Sequence, residues 1–80
     1  MNDSEILHHI TGLVNEEHQL LLQSQQGGLS DEEHERIRQL EISLDQCWDL
    51  LRQRRALREA HINPDNAHLR EANTVEHYQQ

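Results

Sequence analysis

The sequence predicts an all-α protein, an antiparallel two-helix hairpin with a C-terminal arm that dimerises into a four-helix bundle. Three observations lead there. Two stretches carry apolar side chains in alternating steps of three and four, the spacing that lines one face of a helix. A glycine pair, Gly27-Gly28, separates them. The chain is 80 residues long and 34% hydrophobic, with no Phe, one Trp and one Tyr, so a single seam is thin cover for the entropy of ordering it.

The first helix is expected over about residues 3–26. Asn2 or Asp3 can cap it, and Asp3 and Glu5 suit the positive end of its dipole. Ile6, Ile10, Leu13, Glu17 and Leu20 form its seam, with Leu7, Val14 and Leu21 alongside. At ~100° per residue these positions span roughly 140°, wider than one facing helix needs.

Gly27-Gly28 ends this helix, because glycine readily adopts the left-handed backbone that follows a helix terminus. Ser30 followed by Glu33 is a capping box, and Asp31, Glu32, Glu33 and Glu35 load the next helix start with negative charge. The second helix is expected over about residues 31–60. Its seam is Ile37, Leu40, Leu44, Cys47 and Leu51, with Trp48 on the same side. Leu50 and Leu57 point away as a second patch. Together residues 1–60 make the hairpin and 61–80 the arm. Asn63-Pro64 can start a short helix near 64–69, and Thr74 can cap a last turn through Tyr78. Ile62, Leu69, Val75 and Tyr78 would let the arm lie on the bundle, in its own subunit or in trans.

A short break makes the helices antiparallel neighbours. A turn at Gly27-Gly28 pairs positions whose numbers sum to about 57. Leu20 then faces Ile37, Leu13 faces Leu44, Ile10 faces Cys47 and Ile6 faces Leu51. The same offset puts Asp3 beside Arg54 and Glu5 beside Arg52. Apolar meets apolar and acid meets base in one register.

Charge and composition exclude several function classes. The net charge is −8, which argues against a general nucleic-acid or anionic-membrane binder. The N-terminus lacks the basic start of a signal peptide, and no apolar run reaches membrane-spanning length. Cys47 is the only cysteine, which precludes an intrachain disulfide and suits a cytoplasmic protein.

The segments Leu13-Val14-Asn15-Glu16-Glu17-His18, Leu44-Asp45-Gln46-Cys47-Trp48-Asp49-Leu50-Leu51-Arg52-Gln53-Arg54-Arg55-Ala56 and Thr74-Val75-Glu76-His77-Tyr78 resemble a small uncharacterised bacterial family, domain of unknown function 2630. The resemblance spans essentially the whole chain. It implies a compact helical protein and brings no activity, cofactor or site residue.

Four features carry candidate chemistry. Among seven histidines, Glu5-x-x-His8 and Asp31-x-x-His34 have the spacing of carboxylate-bridged metal helices. The hairpin register brings His8 and His9 near Asp45 and Asp49. No complete ligand set with metal-specific spacing is present, so these read as solvated polar positions, with no metal or cofactor assigned. Glu17 sits in the seam, where an unpaired carboxylate is costly. It is read as fixing register through Arg36, His34 or a second subunit rather than as a catalytic acid. Cys47 reads as a small apolar seam residue, with a disulfide to its own copy in a dimer as the alternative. Arg52, Arg54, Arg55 and Arg58 form the one basic patch. Pairing with Asp3, Glu5 and the helix C-terminus is preferred there over phosphate contact.

The expected function is therefore a non-enzymatic homo-oligomeric module acting through protein contacts. Assembly is assigned to Ile6, Ile10, Leu13, Val14, Leu21, Leu44, Trp48 and Leu51, leaving outer faces for an unidentified protein partner. The alternatives are a regulator docking an anionic partner or nucleic acid on the arginine patch, and a metal-binding bundle using His8, His9, Asp45 and Asp49.

Overall fold

The computed structural model of the chain describes residues 1–71. The expected Thr74–Tyr78 turn, with Val75 and His77, lies outside the described residues. Two long helices dominate: α1, Asp3–Gly27, and α2, Asp31–Glu59, followed by a 3₁₀ turn at Pro64–Asn66. No strand occurs among the described residues.

Both helices open with a reciprocal capping box. Asn2 Oδ1 accepts from the Glu5 N–H at 2.8 Å, while the Glu5 carboxylate accepts from the Asn2 N–H at 3.1 Å. Ser30 and Glu33 repeat the device at α2, at 3.2 and 3.0 Å. Each box satisfies two N–H groups that a helix start leaves unbonded. Asn2 is thus the cap, one of the two residues expected there, while the Glu5 half of the box was not expected, Glu5 having been set beside Arg52. At the C-terminal end of α1, Gly28 takes φ of 78° and its N–H donates to the Ser24 carbonyl.

The end of α2 has no glycine. His61 itself adopts φ of 60° there. The Ile62 N–H donates to the Leu57 carbonyl at 2.8 Å and the His61 N–H to the Arg58 carbonyl at 3.0 Å. These paired bonds are the Schellman closure, with histidine in the left-handed position that glycine usually fills. Asn63 then accepts from the Asp65 N–H at 2.9 Å and starts the 3₁₀ turn with proline in its first position. This turn is three residues long, shorter than the helix expected near 64–69.

The core lies at the open end of the hairpin, away from the turn. Ile6, Ile10, Cys47 and Leu50 are buried together, with Leu13, Leu44, Leu51 and Ala67 packed against them. Leu40 is buried nearer the turn. Asp3 and Arg54 pair across the helices in the register whose numbers sum to 57.

Two side chains differ from expectation. Trp48 is 43% exposed rather than in the core, and Leu50, expected to point away, is buried at 8%. The arm explains both. On α2 the line Leu40, Leu44, Cys47, Leu51, Arg54 faces α1. Leu50 lies on one flank of that line and Trp48 on the other, at ~100° per residue. After the 3₁₀ turn the chain runs back along the Leu50 flank and covers it, placing Ala67 on the core. Trp48, on the opposite flank, stays 43% exposed among the described residues.

The result is long and surface-rich. The radius of gyration is 14.9 Å, against about 12 Å for a compact chain of this length.

Candidate functional site

The hairpin has two unlike faces, and the candidate site is the contrast between them.

One face is closed by the arm through polar bonds. Asp49 is only 1% exposed. Its Oδ2 accepts from Arg70 Nε at 3.0 Å and from Gln53 Nε2 at 2.9 Å. Gln53 Nε2 also donates to the His68 carbonyl at 2.8 Å, and Gln46 Nε2 donates to the Arg70 carbonyl at 3.1 Å. Gln46, Asp49 and Gln53 are spaced three and four apart, so they form a polar stripe along the flank of α2 that receives the arm. Arg54 anchors the start of the arm. Its guanidinium holds Asp3 and Asp65, the latter at 3.0 Å, and donates to the Pro64 carbonyl at 3.2 Å. Through residue 71 the arm therefore lies on its own subunit. The sequence reading missed Asp49 as an anchor. The available signal was a glutamine–aspartate–glutamine stripe at helical spacing beside a hydrophobic flank.

The other face is open and apolar. Leu7, Val14 and Leu21 are exposed at 47, 44 and 47% and stand seven residues apart along α1. Trp48 lies on the flank of α2 opposite Leu50. Because the helices are antiparallel, these two flanks fall on the same side of the hairpin. Leu44 sits half-buried between them. The assembly residues named from sequence thus divide. Ile6 and Ile10 are consumed by the intrachain core, with Leu13, Leu44 and Leu51 packed against it, while Val14, Leu21 and Trp48 remain available. Leu7, equally exposed, was left out of the sequence selection.

The arginine patch is largely neutralised within the chain. Arg54 is 6% exposed and bound as above. Arg58 pairs with Asp3 at 2.9 Å and Arg55 with Glu59 at 3.1 Å. Arg52 is engaged as well. The Arg54 guanidinium, then Arg58, holds the Asp3 carboxyl below its ordinary value of 3.8. The patch does not present four cations on one surface.

Glu17 is half-buried in the seam, but Arg36 reaches its neighbour instead, gripping Glu16 through both Nε and Nη2, the latter at 2.7 Å. The two parallel bonds make this a bidentate arginine–carboxylate pair across the helices, at an exposed position.

Cys47 is buried among Ile6, Ile10 and Leu50, and burial pushes its thiol above the ordinary value of 9.0. A protonated, enclosed thiol is a poor nucleophile and is not placed to meet its own copy. His8 and His9 are exposed, Glu5 is committed to its cap, and Asp49 is enclosed by Gln53 and Arg70. Among the described residues no group of three or more His, Cys, Asp or Glu side chains is arranged to hold a metal ion. No helix there is long and apolar enough to cross a membrane.

Comparison with known proteins adds no activity. Proteins of Mycobacterium bovis and of two strains of Mycobacterium tuberculosis, each named only as uncharacterised, are 54% identical over 77 residues, covering 95% of this chain and 88% of each relative. No solved structure matches. The family model described as protein of unknown function (DUF2630) matches residues 2–80, and the chain belongs to that family.

Proposed function

We propose that this protein is a non-enzymatic homodimeric interaction module, in which two hairpins pack open face to open face as a four-helix bundle. The supporting observation is the alignment of Leu7, Val14, Leu21 and Trp48, each 43–47% exposed, on one side of a hairpin that buries only five apolar side chains among its described residues. Removing that stripe from water gives the association its main driving force, at about 25 cal/mol per Å² of apolar surface. A second copy suits the face because it brings an equally long and equally apolar stripe, and two such hairpins give the standard bundle geometry. The arm-covered faces then lie outward and carry the polar surface for other protein partners. The reduced, buried Cys47 is compatible with a cytoplasmic setting.

Sedimentation equilibrium tests the pairing. Wild-type protein is expected as a dimer at micromolar concentration, and Val14→Glu with Leu21→Glu is expected as a monomer with reduced helicity. A wild-type protein that is a stably folded monomer, or a double variant that still dimerises, contradicts it.

A further inference from the structure

We infer that the two copies pack with their hairpins reversed, the Gly27-Gly28 turn of each beside the open end of the other, about a two-fold axis passing near Val14. The orientation rests on the open-face pairing proposed above and adds to it the direction of the second copy.

Two features carry it. The first is the symmetry of the exposed stripe. Leu7 and Leu21 are equidistant from Val14, so a reversed α1 laid against α1 sets Leu7 on Leu21 of the second copy and Val14 on its own equivalent. An isologous interface requires this kind of self-complementarity. A two-fold along the bundle axis would also stack apolar on apolar, with Leu7 over Trp48 and Val14 over Leu44. The stripe therefore permits both arrangements, and charge decides between them.

The charge is distributed unevenly along the hairpin. The turn half, residues 15–41, carries seven acids against two arginines, a net −5. The open half, residues 1–14 with 42–71, carries seven acids against five arginines, a net −2. Packing the copies with turns together would hold two −5 regions about 10 Å apart, roughly one Debye length at physiological salt. Reversing one copy sets the centres of the two turn halves roughly 20 Å apart, about 10 Å on either side of Val14 at ~1.5 Å per residue, beyond two Debye lengths. It also lays Arg55, 78% exposed on its side chain, beside the acidic start of α2, residues 31–35, in the second copy. With the axis at Val14, Arg55 comes level with Asp31.

Variants with one added cysteine at these exposed positions test the direction, with wild type controlling for Cys47. Under mild oxidation Val14→Cys is expected to form a disulfide with itself. ¹⁵N-labelled Leu7→Cys mixed with unlabelled Leu21→Cys is expected to give a mixed-mass dimer as the main product. If Leu7→Cys instead joins Trp48→Cys and Val14→Cys fails to join itself, the copies run turn to turn and the orientation is wrong. If none of these pairs forms while wild type still sediments as a dimer, a different face pairs. If wild type is a monomer, self-association itself fails.

Discussion

Asp3 and Arg54 are 51 residues apart in the chain and form an ion pair that ties the first residue of α1 to the last turns of α2. The arginine is 7% exposed on its side chain and the aspartate 37%, so the pair sits at the edge of the core with one side wet. Arg54 continues the line of seam residues on α2, and its remaining bonds go to Asp65 and the Pro64 carbonyl. One guanidinium thus joins both helices and the arm.

This junction makes stability acid-sensitive. Arg54 and Arg58 lower the Asp3 carboxyl below 3.8, Arg36 lowers Glu16 below 4.5, and the Ser30 cap lowers Glu33 below 4.5. A depressed carboxylate binds protons more readily unfolded than folded. Its contribution is complete above the ordinary values and is lost as pH falls through the lowered ones. Thermal melts followed by circular dichroism from pH 7 to 2.5 should show constant stability down to about pH 5 and a decline below it. Asp3→Asn should melt lower than wild type at pH 7, and the gap should close in acid. A gap that persists unchanged at pH 2.5 would assign the effect to something other than the charge.

The Asp49–Arg70 pair should decide whether the arm stays down. Asp49→Ala removes the acceptor of both Arg70 and Gln53 and costs about 1–3 kcal/mol of local stability, the range for breaking a buried charged hydrogen bond. Trypsin should then cleave after Arg70 several-fold faster than in wild type, read by mass spectrometry of timed digests. Equal rates would mean that Gln46, Gln53 and Arg54 hold the arm without it.

His61 occupies a backbone region that costs a side-chain-bearing residue about 1–2 kcal/mol. His61→Gly should relieve part of that cost and raise stability by about 0.5–1 kcal/mol, with helix content unchanged. Chemical denaturation checks it, and a destabilised variant would show that the imidazole makes a compensating contact.

Leu50 and Trp48 should respond differently. Leu50→Ala opens a cavity in the core and costs about 2–4 kcal/mol. Trp48 fluorescence should shift to the blue as protein concentration rises, because the indole leaves water only on pairing. Emission that stays fixed from nanomolar to hundred-micromolar protein would leave Trp48 outside the interface.

The same two residues mark where the sequence stops being legible. The helical hairpin follows from short-range rules: the three-four periodicity, the Gly27-Gly28 break and the Ser30–Glu33 box each act within a few residues. The Asp3–Arg54 register follows from matching two such patterns. Which flank of α2 is covered depends on where residues 63–71 return, and that path is set by Asp49, Gln53 and Arg54 bonding backbone and side chains up to 21 residues away. Periodicity carries no information about that return, so Leu50 and Trp48 were exchanged.

Native mass spectrometry of the untagged protein, prepared without chelator, tests the central claim most directly. A homodimeric module with no cofactor predicts one dominant species at twice the chain mass with nothing bound. A monomer, or a dimer carrying a stoichiometric metal or ligand, would contradict it and return attention to the histidines.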